Sequence, residues 1–431
     1  MRTSSYTHQI FFLVLCVGFV LSFYPGLMSD DSHGIYASAQ AHQYNDHHPP
    51  LMAYLWHYLL FIKDGPAMMF LFNMCLLWST IYILAFRVFK KGLLHILCFL
   101  IPFMPQIAVY AGFLWKDIIF TFGYGLLSSI LAYHHIHHKR LTFPTSSAFF
   151  ILLFYCTSVK YQAQFVCPII VYWYVWVQSP FGPSKRFIAA MVVSLLLTQS
   201  IHITNHFLVT EHGNGSSHSW QYRNIFDLAG MSVNSHKLLL PPFLIKDQAT
   251  LADIESHYEL AWEPLIVYPH SPLNATSNND QRAILKKTWI QAISSHPLAY
   301  IKHRMHVWGR GILLSSPGKG WFDEKTGPNH PLKKLSPLFS LFAYLCLIPI
   351  QIANAIIAYQ SLKIEQCRAY AQCSLILSIM SATLILMLFV LTLAGVPRYI
   401  YFSFFMFFLS CPFAGYCWIH WFKNKKHILT T

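Results

Sequence analysis

Two adjacent carboxylates, Asp30 and Asp31, follow soon after an apolar run, and a histidine pair, His47 and His48, follows them in NDHHPPL (Asn45–Leu51). Like charges this close compete for a proton, so one carboxylate of the pair is suited to act as a general base. Ser29 and Ser32 flank the acids, and SDDSHGIYASAQAHQY reads as a capped helix with Ile35, Ala39 and His42 down one face. The plainer reading of the acids is an acidic N-cap on an interfacial helix. Pro49 and Pro50 hold His48 in extended geometry, which fixes Asp46, His47 and His48 at the base of the loop. The imidazoles suit a phosphate or a carboxylate partner, and the plainer reading is a stiff helix entry. A divalent metal is compatible with Asp46, His47 and His48, but the spacing is not a diagnostic ligand pattern, so no metal or other cofactor is assigned.

These residues have to be positioned by the elements around them, and those are apolar. The chain has 431 residues, 55% hydrophobic and only 11% charged, against about 25% charged in soluble domains. That composition predicts an all-α polytopic membrane protein. Runs long enough to cross a bilayer fall near 7–23, 66–86, 93–113, 118–133, 146–159, 164–178, 187–205, 336–359, 370–393 and 399–422, about ten transmembrane helices. The expected organisation is a membrane core over 1–205 with the first loop at 25–65, an extracytoplasmic segment over 206–335, and C-terminal helices over 336–431. That segment is mixed or mainly helical. Within it, Asn279–Leu314 predicts two helices broken at Pro297, with Ile284, Trp289, Ile293, Ile301, Met305 and Trp308 recurring at helical spacing.

Charge sets the orientation. Arg2, Arg87/Lys90/Lys91, Lys139/Arg140, Lys185/Arg186, Lys363/Arg368 and Lys423/Lys425/Lys426 fall on alternate connections, and of the 16 acids only Glu365 joins them. Basic connections stay cytoplasmic, which places the first loop and the large segment outside, on the periplasmic face if the membrane is a bacterial inner membrane. The net charge of +14 is thereby explained by orientation, and a nucleic-acid partner is excluded. The histidine-rich YHHIHHKR (Tyr133–Arg140) lies on the cytoplasmic side and reads as an anchor to the anionic membrane surface. No Walker, GxGxxG, HExxH or GxSxG motif is present.

Three basic residues run against that bias. Lys116 in WKD, Lys160 in VKYQ and Arg398 in VPRY each sit where an external turn meets a span, so each calls for an anionic partner. Asp117 is placed to neutralise Lys116. Lys160 and Arg398 have no acid beside them in sequence, and a lipid phosphate is an apt counter-ion, bidentate in the case of Arg398. Trp115, Tyr161 and Tyr399 fit either a ligand site or an ordinary interfacial belt.

An acidic pair just past the first span, followed by D-x-H-P-P-L, resembles the GT-C superfamily of polytopic glycosyltransferases, protein O-mannosyltransferases and aminoarabinose transferases among them. YPGLMSDDS (Tyr24–Ser32) and FLWKDIIF (Phe113–Phe120) are similar to segments of bacterial GT-C-like membrane proteins. The resemblance covers the first loop well, the topology loosely and the large segment hardly at all. It implies a GT-C-like fold and a polyprenyl-phosphate-linked sugar as donor. The acceptor would be a lipid, a glycan or a protein, with membrane lipids around the enzyme. It also implies Asp31 or Asp30 as base and Lys116, Lys160 and Arg398 as phosphate contacts. Asp46, His47, His48, Asp117, Tyr161 and Tyr399 complete the expected substrate-binding set. The chain departs from the pattern in carrying Asp-Asp rather than Asp-Glu, and in lacking the lysine that follows the leucine in O-mannosyltransferases. A polytopic transporter or lipid flippase is the competing expectation; transporters place ionisable groups near the midplane, whereas here they gather at helix ends.

Overall fold

The computed structural model describes residues 2–215, 218–246, 249–259, 261–312 and 346–430. It is all-α apart from one short parallel pair, β1 (Tyr44–Asn45) against β2 (Gly213–Gly215). The chain forms two compact units. One comprises Met1–Ser216, Leu345–Leu384 and Tyr401–Thr431, and the other Ser217–Tyr344 and Ile385–Ile400.

The first unit opens with α1 (Arg2–Phe23), the loop helices α2 (Asp30–Ala41) and α3 (Leu51–Leu60), and α4 (Ala67–Tyr82), which runs on as a π-helical stretch to Phe89. It continues with α5 (Leu93–Leu100), α6 (Pro105–Ala111), α7 (Lys116–Ile136), α8 (Phe143–Ser158), α9 (Ala163–Gln178) and α10 (Pro183–His212). Helices α16 (Gln351–Ser361), α17 (Glu365–Leu391) and α18 (Tyr401–Thr430) follow the large segment.

Among the described residues, five helices are long and apolar enough to cross a membrane: Tyr6–Phe23, Ala67–Phe89, Pro183–Thr210, Glu365–Leu391 and Pro397–Phe422. A sixth arises if the pair Leu93–Phe103 and Pro105–Ala111, bent by 46°, is one span. The other expected spans within 1–205 fall on α7, α8 and α9, which are shorter or less apolar. Residues 336–345 of the expected eighth span lie outside the described residues.

Helix α7 explains why hydropathy is a poor guide here. It has 21 residues, about 30 Å, and packs against α4, α8, α9 and α18. Thr121, Gly123, Gly125, Ser128 and Ser129 are buried within it; small residues of this kind let helices approach closely and lower the apparent apolarity. Phe120 stacks on Phe402 of α18 at 4.3 Å. Helix α10 runs past the expected boundary at residue 205, because no glycine or proline interrupts it before Gly213 and Thr204 and Thr210 bond back to the carbonyls of Ser200 and His206.

The second unit holds α11 (Trp220–Ser235), α12 (Leu251–His257), α13 (Glu263–Ile266), α14 (Asn279–Ser295) and α15 (Pro297–Gly311). The break at Pro297 is as expected. The buried faces are so only in part: Trp289 and Ile293 pack against the core. Ile284, Ile301 and Met305 are exposed, while Leu285, Ala292, Ala299, His303, Arg304 and Val307 face the core with Ile225, Phe226 and Leu228 of α11. Two basic residues occupy the hidden stripe because an acid waits there. Asp227 Oδ1 lies 3.0 Å from His303 Nε2 and 2.5 Å from Arg304 Nη2. Its other oxygen accepts from Trp289 Nε1 at 2.8 Å. Tyr258 completes the chain with its hydroxyl 2.6 Å from His303 Nδ1, and Arg304 Nη1 donates to the Thr392 carbonyl at 2.7 Å. Gly230 makes the approach possible: a Cβ there would stand 2.0 Å from His303 Nδ1.

Candidate active site

The site is built where the first loop docks on the start of α7. Gly26, at φ +111, turns the chain sharply after α1, and a side chain there would crowd Phe70 and Leu114. The next residue is pinned: Leu27 N–H donates to Gly112 O at 2.8 Å and Leu114 N–H to Leu27 O at 3.0 Å. Trp115 Nε1 then donates to Ser29 Oγ (2.7 Å), and the buried Ser32 hydroxyl donates to Leu114 O (3.0 Å). Ser29 is the N-cap residue of α2 by position but makes no side-chain cap bond; it serves the docking instead. Helix α2 buries Ile35 and Ala39 as expected, and His42 ends it in a left-handed conformation, stacked on His57 at 4.3 Å.

Docking brings three chain segments to one place. His48 Nε2 lies 3.9 Å from Asp31 Oδ1, and His48 Nδ1 contacts Lys116 Nζ. An ammonium has only protons to give, so Nδ1 accepts and the His48 proton resides on Nε2, the nitrogen nearest the carboxylate. Lys116 thereby sets the tautomer that faces Asp31. Asp31 is 30% exposed, open enough to meet a ligand, and Asp30 is exposed as well. His47 is held below the ordinary imidazole range by desolvation first and by the Lys116 charge second, against Asp31 and Asp46. It is therefore neutral at pH 7. A cavity of about 160 Å³ opens beside the cluster, with Ser38, Tyr44, His47 and His48 in its wall.

One expected phosphate contact, Lys160, is placed differently. Asp117 does not neutralise Lys116; it pairs with Lys160, across the gap between α7 and α9, and both side chains are buried. A buried ammonium committed to a carboxylate is not a surface for a lipid phosphate, so Lys160 is corrected to a structural cation. Tyr161 donates its hydroxyl to the Asp46 backbone carbonyl at 3.0 Å, tying the loop to the start of α9. Arg398 lies in the second unit, half-buried in the 3₁₀ turn Pro397–Ile400, with its guanidinium 5.4 Å from the Tyr399 ring centre. No group of three or more His, Cys, Asp or Glu side chains able to hold a metal occurs among the described residues.

Sequence reasoning missed Ser29, Ser32 and Trp115 as the docking set, and missed Asp227, His303 and Arg304. The second group left one signal, since Ala299, His303 and Val307 share a helical face with i, i+4 spacing. The Tyr161 bond leads to a modest expectation. Tyr161→Phe should weaken loop docking by about 0.5–1.5 kcal/mol, read as faster hydrogen exchange at residues 44–48, with exchange in α7 unchanged. Equal exchange in the two proteins would show that the hydroxyl does not hold the loop.

No family model, curated protein or solved structure matches the chain.

Proposed function

We propose that this chain is a polytopic membrane glycosyltransferase of GT-C type, taking a sugar from a polyprenyl-phosphate donor to an acceptor on the extracytoplasmic face. The observation that supports the reading best is the convergence of Asp31, His48 and Lys116 beside a cavity. In this scheme the Asp31 carboxylate takes the proton from an acceptor hydroxyl as its oxygen bonds to the anomeric carbon. The bond from that carbon to the phosphate oxygen breaks, and the lipid phosphate leaves with the electron pair. His48, held by Lys116, orients the carboxylate. The ten-span topology, with the basic connections inside, belongs to the same proposal.

The direct experiment supplies the purified chain in liposomes with a panel of polyprenyl-phosphate sugars and acceptor lipids. Acceptor-dependent release of polyprenyl phosphate, followed by mass spectrometry, is expected. Release from no donor in the panel, with movement of intact lipid between leaflets, would transfer the assignment to a flippase or transporter.

Arg398 enters the scheme as a donor contact. Its planar fork, half-exposed in a turn before α18, matches a phosphate in bidentate fashion. Arg398→Gln should raise the KM for donor roughly tenfold, the worth of a charged hydrogen bond, and leave the KM for acceptor within about twofold. Equal shifts in both constants would remove Arg398 from the donor site.

A further inference from the structure

The first unit carries a second polar cavity, larger than the one walled by His47 and His48. It has a volume of about 320 Å³ and is walled by His134, His138, Lys139, Arg140, Trp176 and Gln372, among others. It lies at the far end of α7 from Lys116, and 21 helical residues separate the two ends by about 30 Å, the thickness of a hydrocarbon core.

The cavity is a built one. His138 takes a left-handed conformation (φ 49) and ends α7, and Lys139 N–H bonds to His134 O at 2.9 Å. The connection that follows is clamped to the end of α9, where Gln178 Oε1 accepts from Leu141 N–H (2.7 Å) and Gln178 Nε2 donates to Leu141 O (3.2 Å). His135, largely buried in the wall, meets Gln372 Oε1 of α17 through Nε2 at 2.8 Å and lies edge-on to Trp176 at 5.0 Å. With the amide oxygen used in that way, the Gln372 amide protons are left to donate. Arg186 stacks over the other ring system of this corner, 5.1 Å from the Trp176 ring centre.

Among the described residues, every ionisable side chain in the wall is basic and no carboxylate lines it. Favourable placement of cations at a helix C-terminus accounts for a basic residue in this turn. It does not account for a preformed recess with several basic groups, amide protons and an indole around one volume. The recess is at the lower end of ligand-pocket sizes, about 300–1,000 Å³. Lys139 and Arg140 supply charge, and Trp176 supplies an aromatic surface of the kind that settles at headgroup depth.

We propose that this recess binds the phosphate headgroup of an anionic phospholipid, on the face of the membrane opposite to the Asp31 cluster. The phosphodiester is held by Lys139 and Arg140 with help from Gln372, and the acyl chains run along the apolar flanks of α8 and α9. The proposal does not rest on the glycosyltransferase reading, since it concerns a separate site.

The test uses the full chain in detergent, with native mass spectrometry to count bound lipid. Dioleoylphosphatidylglycerol should be retained where dioleoylphosphatidylcholine is not. Lys139→Gln combined with Arg140→Gln should weaken retention roughly tenfold or more, as removal of two basic contacts at an anionic headgroup implies. Lys90→Gln combined with Lys91→Gln removes the same charge from an exposed connection outside the recess, and should retain the lipid as the unaltered chain does. Equal loss in both double variants would reduce the effect to general charge attraction and overturn the site. Unchanged retention in the Lys139/Arg140 variant would do the same. Saturable stabilisation by inorganic phosphate, with no preference for the glycerolipid, would overturn the lipid assignment in favour of a free anion.

Discussion

Asp31→Asn should lower the rate of sugar transfer by about 10²–10⁴, the usual worth of a general base, while the protein keeps its fold and its affinity for the donor. The amide preserves the size of the side chain and its place 3.9 Å from His48, but it cannot take a proton. Asp30→Asn should change the rate much less, because Asp31 is the carboxylate found 3.9 Å from His48. Single-turnover measurements with saturating donor separate chemistry from binding. If the Asp31 variant transfers sugar within about threefold of the unaltered chain, the first loop is structural and the proposed mechanism falls. If the Asp30 variant is the inactive one, Asp30 is the base and the contact of Asp31 with His48 has another purpose. His48→Gln provides a third comparison: it should reduce the rate less than Asp31→Asn, since it disturbs the orientation of the base and leaves the base itself.

The second large effect lies in the other unit. Asp227→Asn leaves Arg304 fully buried without its carboxylate, and loss of one partner from a buried pair costs about 3–5 kcal/mol. Hydrogen exchange in α11 and α15 of the full chain should accelerate on the order of a hundredfold or more. Arg304→Met in the same chain as Asp227→Leu should recover part of the loss, because an apolar pair leaves no charge stranded. Unchanged protection in the Asn variant would show that the network is not what holds these helices. The network also sets the response to acid. Burial opposes the charge on Asp227, but Arg304, His303 and Trp289 outweigh it and hold the carboxyl below its ordinary range. His303 is likewise lowered, by burial above all, against the pull of Asp227. For Asp227 the stabilisation is present above the unfolded value of about 3.9 and is lost as pH falls through the folded value. For His303 the loss begins earlier, below about 6.5, where the unfolded imidazole takes a proton that the folded one refuses. Both act in one direction, so the unit should be flat in stability above neutrality and open progressively on acidification.

How much of this could be read from residues alone differs between the two units. The opening loop was legible, because prolines, an acid pair and histidines are local signals: α2 formed where the acids and serines place it, and His48 came to rest beside Asp31. The helix break at Pro297 was legible for the same reason. The partner of Lys160 was not, since Asp117 lies 43 positions away in sequence and only the packing of α7 with α9 brings them together. Adjacency suggested Lys116 for Asp117, but consecutive residues at a helix start diverge around the axis, which sends Lys116 to the loop and Asp117 inward. The hidden face of α15 was obscured because its burial is marked by His303 and Arg304, whose types read as solvent-facing until Asp227 is known to be there. The apolarity of α7 is understated on similar grounds, since its small polar residues are turned toward other helices.

That feature of α7 has a consequence for how the chain is made. A segment whose glycines, serines and threonines face neighbouring helices gains little from entering hydrocarbon by itself, since its favourable surroundings are other parts of the same protein. Gly125 would meet Phe405 and Gly123 would meet Cys156 if either carried a methyl group, so the contacts that α7 was shaped for come from α8, synthesised next, and from α18, synthesised much later. Packing of this segment is therefore a cooperative event, completed only when α18 has been made.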